Sequence, residues 1–191
     1  LMMDYLAEVT MSLLARARQT AFLVPGLGID IRDERPESLS ESGEAAIHRF
    51  HYEGGLIEFV DFLAVDAPLT DTWRVTDTGT FTETVPVMDE ASGGLVSREV
   101  ERRCEVDIAL RWGTGYDTEV QSFVNIIATP KGGTHLSGFE QGLVRFFRKQ
   151  IEVNARKLKA GSDKPEKDDI LTGLTAVVTV RVPEPQFEGQ T

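Results

Sequence analysis

Basic side chains recur along one face of a predicted long helix, and this face is the part of the sequence best suited to binding an anion. Arg145, Lys149 and Arg156 fall on the same side, with Arg148 and Lys159 at its edge. Lysine and arginine at helical spacing can contact successive phosphates of a nucleic-acid backbone. A solvated helix face has the same pattern, so the residues alone leave both interpretations open.

A histidine lies at the start of this helix, in the stretch GGTHLSGF (Gly132 to Phe139). The two glycines separate the helix from the strand before it. Thr134 is predicted as the N-cap, because its hydroxyl can accept backbone N–H groups of the first turn. His135 then lies near the positive end of the helix dipole, which disfavours its charged form. We predict a neutral structural histidine bonded to a neighbouring loop.

Motifs of self-contained catalysis are missing from the sequence. It has no phosphate loop of the Gly-x-x-x-x-Gly-Lys kind and no Gly-x-Ser-x-Gly elbow. Its one cysteine and three scattered histidines lack the spacing of zinc ligands. We therefore predict no catalytic residue and no metal site within the chain itself.

Charge and hydropathy limit the environment of the chain. Its 191 residues include 31 acidic and 20 basic ones, for a net charge of -11. Such a surface repels nucleic acid on average, so DNA contact requires a local basic patch. No stretch reaches about 18 apolar residues. The first residues carry Asp4 and Glu8 and no basic leader, unlike a secretory signal. We expect a reduced cytosolic protein.

Hydrophobic periodicity predicts the elements that position the basic face. Residues 1–21 are predicted as an entry helix, and further helices are predicted over 56–63 and from Thr134 to Leu158. Alternation predicts strands over 27–32, 48–52, 105–112, 119–129 and 174–182. The predicted buried face of the entry helix consists of Leu6, Val9, Leu13, Ala17 and Ala21. The predicted apolar stripe of the long helix consists of Phe139, Leu143, Phe146, Phe147, Ile151 and Leu158.

Three polar stretches are predicted to be irregular. Residues 33–45 and 66–103 are predicted as variable loops, the second with one strand at Phe81 to Val87, and residues 159–169 as a polar loop. The strands over 105–112 and 119–129 are expected to pair as an antiparallel hairpin. The order of elements indicates the α+β class, a mixed or antiparallel sheet with helices packed on one face.

Two motifs carry a family resemblance, GGTHLSGF and GLTAVVTVRVPEPQFEGQT (Gly173 to Thr191). Supporting stretches are RQTAFLVPGLGIDIRDER, FHYEGGLIEFV and VDIALRWGTGYDTEVQSFVN, in that order along the chain. Together they resemble the ATPase subunit of bacterial type IIA DNA topoisomerases, which is DNA gyrase B or its topoisomerase IV equivalent, ParE. The match falls in the transducer domain of that subunit.

The resemblance implies a ribosomal-protein-S5-domain-2-like mixed sheet and a single transducer domain over residues 1–191. It also implies a fragment that lacks the GHKL ATP-binding domain and the DNA-cleavage module. Residues 183–191 would begin the Gln-Thr-Lys loop, in which Gln190 corresponds to a glutamine that contacts the ATP γ-phosphate. Donors aimed at this phosphate stabilise charge as the bond breaks and distinguish ATP from ADP. ATP and Mg²⁺ are expected in the full-length subunit, and no cofactor in this chain alone.

The implied function is to relay ATP binding and hydrolysis to clamp closure and DNA strand passage in an ATP-dependent type II topoisomerase. The fragment alone would be inactive. Its partners would be the subunit's own GHKL ATPase domain, a second copy of the subunit in an ATP-closed dimer, the DNA-cleaving gyrase A or ParC-type subunit, and duplex DNA. The expected location is the cytoplasm, at the nucleoid.

The DNA-facing candidates are Arg145, Lys149 and Arg156, but one position departs from the family pattern. Relatives often carry a basic residue directly after the Gly-Phe of the GGTH motif, where it lines the DNA cavity, and this chain has Glu140. Other function classes stay open, because S5-like folds host unrelated functions. They are a free-standing nucleic-acid-binding or interaction module and an ATPase of the mismatch-repair or chaperone type. The two motifs favour the topoisomerase branch.

Overall fold

The structure is a computed structural model that describes residues 2–88, 93–160 and 164–183, with side chains from residue 11 onward. The chain divides into two compact units between Val65 and Asp66. Among the described residues, no helix combines the length and the apolar character needed to cross a membrane.

The first unit contains two helices and a two-stranded antiparallel sheet. Helix α1 spans Met2–Leu23, strand β1 Ile29–Asp33, strand β2 Ala46–Phe50 and helix α2 Leu56–Leu63. The entry helix, both strands and the second helix are thus confirmed. Between β1 and β2 the chain is irregular apart from a short 3-10 turn and a single bridge, as expected for this acidic stretch.

The buried face of α1 differs from the prediction by one position. Leu13 is 52% exposed, and Leu14 packs against the cluster of Ala17, Ala21 and Phe50 instead. Both leucines are within one turn of Ala17, so periodicity alone does not choose between them. Arg18 also lies beside this cluster, with its guanidinium 5.4 Å from the centre of the Phe50 ring.

The second unit is built on a five-stranded mixed sheet in the order β3-β4-β7-β5-β6. The strands are β3 (Trp73–Met88), β4 (Leu95–Trp112), β5 (Glu119–Val124), β6 (Ile127–Ala128) and β7 (Leu174–Arg181). All neighbouring pairs are antiparallel except β5 and β7, which are parallel. The predicted mixed sheet is confirmed.

Helices pack on one face of this sheet, as the α+β prediction requires. Helix α3 spans Thr134–Val153, α4 Ala155–Leu158 and α5 Lys167–Leu171. Leu171 joins a buried cluster with β-strand residues, and two side chains of α3 pack against the same cluster. The buried cluster consists of Leu110, Leu171, Leu174 and Ala176, and the two α3 residues that pack against it are Phe139 and Leu143.

The apolar stripe predicted for the long helix is only partly buried. Phe147 meets the Trp112 ring edge-on, with ring centres 5.4 Å apart. Phe146 and Leu158 are each 56% exposed, so the prediction was wrong for these two. The helix also ends earlier than predicted, because a turn at Asn154 separates α3 from α4.

The predicted hairpin between residues 105–112 and 119–129 is wrong. Strand β7 lies between β4 and β5 and pairs with both. Consecutive residues of β7 are buried, including Ala176, Val177 and Val178 at 0–1% exposure. A strand that is apolar on both faces is favoured at the centre of a sheet, and its parallel pairing with β5 requires a crossover that contains α3.

Residues 66–103, predicted as a loop, instead contribute to a long β-hairpin. Strands β3 and β4 pair continuously from Trp73 opposite Leu110 to Met88 opposite Leu95, which includes the predicted strand at Phe81 to Val87. Strand β7 covers β4 only from Glu105 onward, so the outer part is a two-stranded ribbon. Threonines recur at alternate positions of β3 and favour extended backbone. The scarcity of apolar residues in this stretch obscured that strand signal in the sequence.

Two further boundaries differ from the prediction. The strand predicted over 119–129 is divided by a turn in which Asn125 and Ile126 both have positive φ, 46° and 65°, as in a tight β-hairpin. The polar stretch 159–169 ends in α5, whose first turn is closed by a reciprocal capping box between Glu166 and Asp169. This box stabilises a helix that composition alone does not predict.

Gly173 provides a test of the turn that leads into β7. Its φ is +73°, and a Cβ there would lie 2.7 Å from the carbonyl oxygen of Gly115 and 2.8 Å from that of Gly113. Because both obstacles are backbone atoms, we expect Gly173→Ala to lower the free energy of unfolding by about 1–3 kcal/mol or more. Urea denaturation followed by tryptophan fluorescence measures this. Gly79→Ala on β3, where a Cβ meets open space, is the control, and an equal loss in both variants would contradict the assignment.

Candidate nucleic-acid interface

The predicted DNA-facing residues lie on two different helices. Arg145 and Lys149 are one turn apart on α3, and both are exposed. Arg156 lies on the separate α4. The break is stabilised by Asn154, whose side-chain amide donates to the Gln150 carbonyl oxygen at 2.8 Å. The structure therefore brings Arg145 and Lys149 together and leaves Arg156 on another element.

An open groove of about 770 Å³ runs along this side of α3. Four basic and two acidic side chains line it, so the groove is locally basic although the whole chain carries a net charge of -11. A local basic surface on an acidic protein is the arrangement that DNA contact requires. The charged lining residues are Arg145, Arg148, Lys149 and Lys167, with Glu140 and Glu152.

Two of the basic residues are free of carboxylate partners within the described ranges. Among the described residues, no Asp or Glu oxygen lies within 4.0 Å, the limit for an ion pair, of a cationic nitrogen of Arg145 or Lys149. Arg148 is oriented differently, because its Nε donates to the carbonyl oxygen of Pro165 at 2.9 Å. This bond ties α3 to the segment before α5, so the groove has two walls.

Lys167 supplies a cation from the second wall and pairs with Glu140. Its Nζ lies 2.6 Å from Oε2 of Glu140, with the two side chains 51% and 26% exposed. Glu140 is the position at which the family resemblance implies a basic residue. The structure thus places the ammonium group of Lys167 beside this carboxylate. Lys167 was predicted to lie in a loop.

The position of Lys167 is set by the burial of the end of α5. Ile170 and Leu171 are each 7% exposed. The indole Nε1 of Trp112 donates to the Ile170 carbonyl oxygen at 2.8 Å, and the Thr118 hydroxyl donates to that of Leu171 at 2.7 Å. A capping pattern, Glu166 followed three residues later by Asp169 before two apolar residues, was the available signal for this helix.

His135 is structural, as predicted. Its Nε2 lies 3.1 Å from the Thr129 hydroxyl oxygen, and that hydroxyl donates to the Ser122 carbonyl oxygen at 2.9 Å. Burial lowers the pKa of His135 below its usual value. The predicted cap at Thr134 is wrong, because Gly133 takes the N-cap position without any side-chain bond. A Cβ at Gly133 would lie 2.9 Å from the His135 ring, so the glycine makes room for it.

Gln190, the predicted ATP-contacting residue, lies outside the described residues. Within the described part of the chain, no three His, Cys, Asp or Glu side chains are arranged to hold a metal ion. The structure therefore locates the candidate groove and leaves the nucleotide contact as a prediction.

The sequence of this groove and its sheet matches a known family. Residues 55–191 match the family model of DNA gyrase B. The chain belongs to the DNA gyrase B family. It is 34% identical to DNA gyrase B of Streptomyces coelicolor, over 98% of this chain and 26% of that protein. It is 36% identical to DNA gyrase B of Cytophaga hutchinsonii, over 92% of this chain and 32% of that protein.

Solved structures of gyrase B have a similar fold. The 43K ATPase domain of Thermus thermophilus gyrase B, in complex with an aminocoumarin, is similar with a TM-score of 0.59 and 28% identity, over 94% of this chain and 41% of that one. The topoisomerase IV ATP-binding domain of Francisella tularensis, at 21% identity, has a TM-score of 0.59 over 95% of this chain and 41% of that one, and shows the fold alone. The S5-like fold expected for this gyrase B relative is thereby supported. The chain spans about a quarter to a third of the curated relatives named above.

The buried His135 gives a pH dependence with a definite sign. Its folded-state pKa is lowered, so the unfolded chain binds the proton more readily just below about pH 6.5. The stabilisation is complete above that pH and declines as the pH falls toward the folded-state pKa. We expect the free energy of unfolding to fall less between about pH 7.5 and about pH 5.5 in His135→Gln than in the parent chain.

Urea denaturation at the two pH values measures this difference. Both tryptophans, Trp73 and Trp112, belong to the second unit and report on its unfolding. Gln141→Ala, an exposed change on α3 that removes no titratable group, is the control, and its pH dependence should match that of the parent. Equal pH dependence in His135→Gln and the parent would contradict the assignment.

Proposed function

We propose that this member of the DNA gyrase B family is a transducer. In an ATP-dependent type II DNA topoisomerase, it would relay ATP binding and hydrolysis to clamp closure and DNA strand passage. The observation that supports this most is the family match over residues 55–191, which include the β5–α3–β7 unit, the basic groove on α3 and the Gln-Thr pair at residues 190–191.

The likeness to an ATPase-domain structure supports the proposal that nucleotide binding lies mainly outside this chain. This chain matches 41% of the Thermus thermophilus chain, so the remainder of such a domain is available to bind nucleotide. ATP and Mg²⁺ would therefore be cofactors of the whole subunit, held largely by its GHKL ATPase domain. Gln190 would be the contribution of this chain, as a donor to the γ-phosphate that ADP lacks.

The central position of β7 supports the mechanical part of the proposal. Gln190 follows β7 by nine residues, from Arg181 to Gln190, so a nucleotide-dependent contact would act on this strand. Strand β7 is hydrogen-bonded to β4 on one side and β5 on the other. It cannot shift without its neighbours, so a force on β7 would move the second unit as a body. The free energy available for this movement is limited to the difference in affinity between ATP and ADP.

The partners follow from the same proposal. They are the subunit's own GHKL ATPase domain, a second copy of the subunit in an ATP-closed dimer, a gyrase A or ParC-type subunit that cleaves DNA, and duplex DNA in the groove beside α3. The protein would act in the cytoplasm, at the nucleoid. Family membership argues against the free-standing module, because curated gyrase B relatives align with nearly the whole chain.

The nucleotide contact is tested by Gln190→Ala in a subunit that carries this chain joined to an ATP-binding domain. We expect steady-state ATP hydrolysis, measured as phosphate release, to slow more than tenfold, equivalent to about 1.4 kcal/mol in barrier height. Gln186→Ala removes the same side chain four residues earlier and should leave turnover unchanged. An unchanged rate in Gln190→Ala would remove the proposed role of this residue.

A further inference from the structure

We propose that Lys167 contacts DNA phosphate in the groove and that Glu140 competes with phosphate for it. The pair would then set how strongly this wall of the groove holds duplex DNA. This inference rests on the proposed function, because it takes DNA as the ligand of the groove. It assigns a role to a residue of α5, outside the basic face of α3 that the sequence indicated.

The geometry of the pair allows such an exchange. A lysine ammonium has three donors, and Glu140 accepts one of them at 2.6 Å. The Lys167 side chain is 51% exposed, so its other donors are open to the groove. Exposed ion pairs contribute little to stability and open readily. A phosphate oxygen entering the groove can therefore share or replace the carboxylate.

The fold holds the backbone at Lys167 in place while its ammonium group exchanges partners. The buried end of α5 is bonded to Trp112 and Thr118, and Arg148 of α3 is bonded to the carbonyl oxygen of Pro165. Lys167 thus lines the groove on the α5 side, and Arg145 lines it on the α3 side. Cations on both walls match a phosphate backbone that passes between them.

The consequence is a conditional charge at this point of the groove. A basic residue at position 140 would attract DNA at all times. Here the positive charge of Lys167 is compensated by Glu140 until phosphate displaces the carboxylate. DNA binding at this wall would accordingly be weaker than binding to an uncompensated cation, because phosphate must first displace the carboxylate.

A double-mutant cycle on the 191-residue chain tests the coupling. The variants are Glu140→Gln, Lys167→Gln and the combination of both, and the measurement is fluorescence anisotropy of a labelled duplex over a range of salt concentrations. We expect Lys167→Gln to weaken binding severalfold and to reduce the slope of log K against log salt by about 0.9. Glu140→Gln should strengthen binding severalfold, but only when Lys167 is present.

Charge-matched controls separate this effect from a general change of net charge. Lys157→Gln removes a cation from exposed α4, and Glu99→Gln removes an anion from the exposed part of β4, both outside the groove. Each should change affinity much less than its counterpart in the groove. Thermal unfolding of all variants checks that the exposed substitutions leave the fold intact.

The outcomes distinguish this inference from the proposed function. If Lys167→Gln behaves as Lys157→Gln does, or if Glu140→Gln strengthens binding equally without Lys167, the competition is refuted. If the double variant Arg145→Gln with Lys149→Gln weakens binding while Lys167→Gln does not, the groove remains the DNA site and only this inference fails. If no groove variant alters binding, the inference and the DNA-facing assignment both fail, whereas the hydrolysis assay on Gln190 still tests nucleotide coupling independently.

Discussion

The structure of the second unit depends on β7 being paired on both edges and apolar on both faces. Its residues Leu174, Ala176 and Val177 are fully buried. Antiparallel pairing with β4 and parallel pairing with β5 then determine the rest. The parallel pair requires a crossover, and the crossover carries α3 and α5 onto the same sheet face. The basic groove exists because this connection brings two helices side by side.

Trp112 connects the sheet to both walls of the groove. Its indole donates to the carbonyl of Ile170 in α5, and its ring meets Phe147 of α3 edge-on. A single side chain at the end of β4 therefore fixes both helices relative to the sheet. In a transducer, such rigidity would convert a displacement of β7 into a displacement of the groove. The same rigidity holds the Glu140–Lys167 pair at a defined place on the surface.

The groove carries charged side chains on both of its walls. Glu140 of α3 lies where the family resemblance implies a cation, and Lys167 of α5 lies within hydrogen-bond distance of it. In the proposed competition, the cation comes from the opposite wall and becomes available only when phosphate displaces Glu140. The acidic protein as a whole repels DNA, so any DNA contact would require a place where cations outnumber acids. The groove along α3 meets that condition.

Local patterns in the sequence determined most of the helices and strands and the main apolar faces of several of them. Alternation over residues 105–112 and 174–182 identified the end of β4 and the whole of β7. Helical spacing after Thr134 identified α3, and GGTH with the terminal motif indicated the family. Only the tertiary structure decided that β7 separates β4 from β5, that residues 66–103 extend a hairpin, and that Lys167 reaches Glu140 across 27 positions. The reason is physical: periodicity reports the face that a residue presents, whereas strand order and ion pairing between distant residues depend on which apolar faces bury each other, and that choice is made by the whole chain.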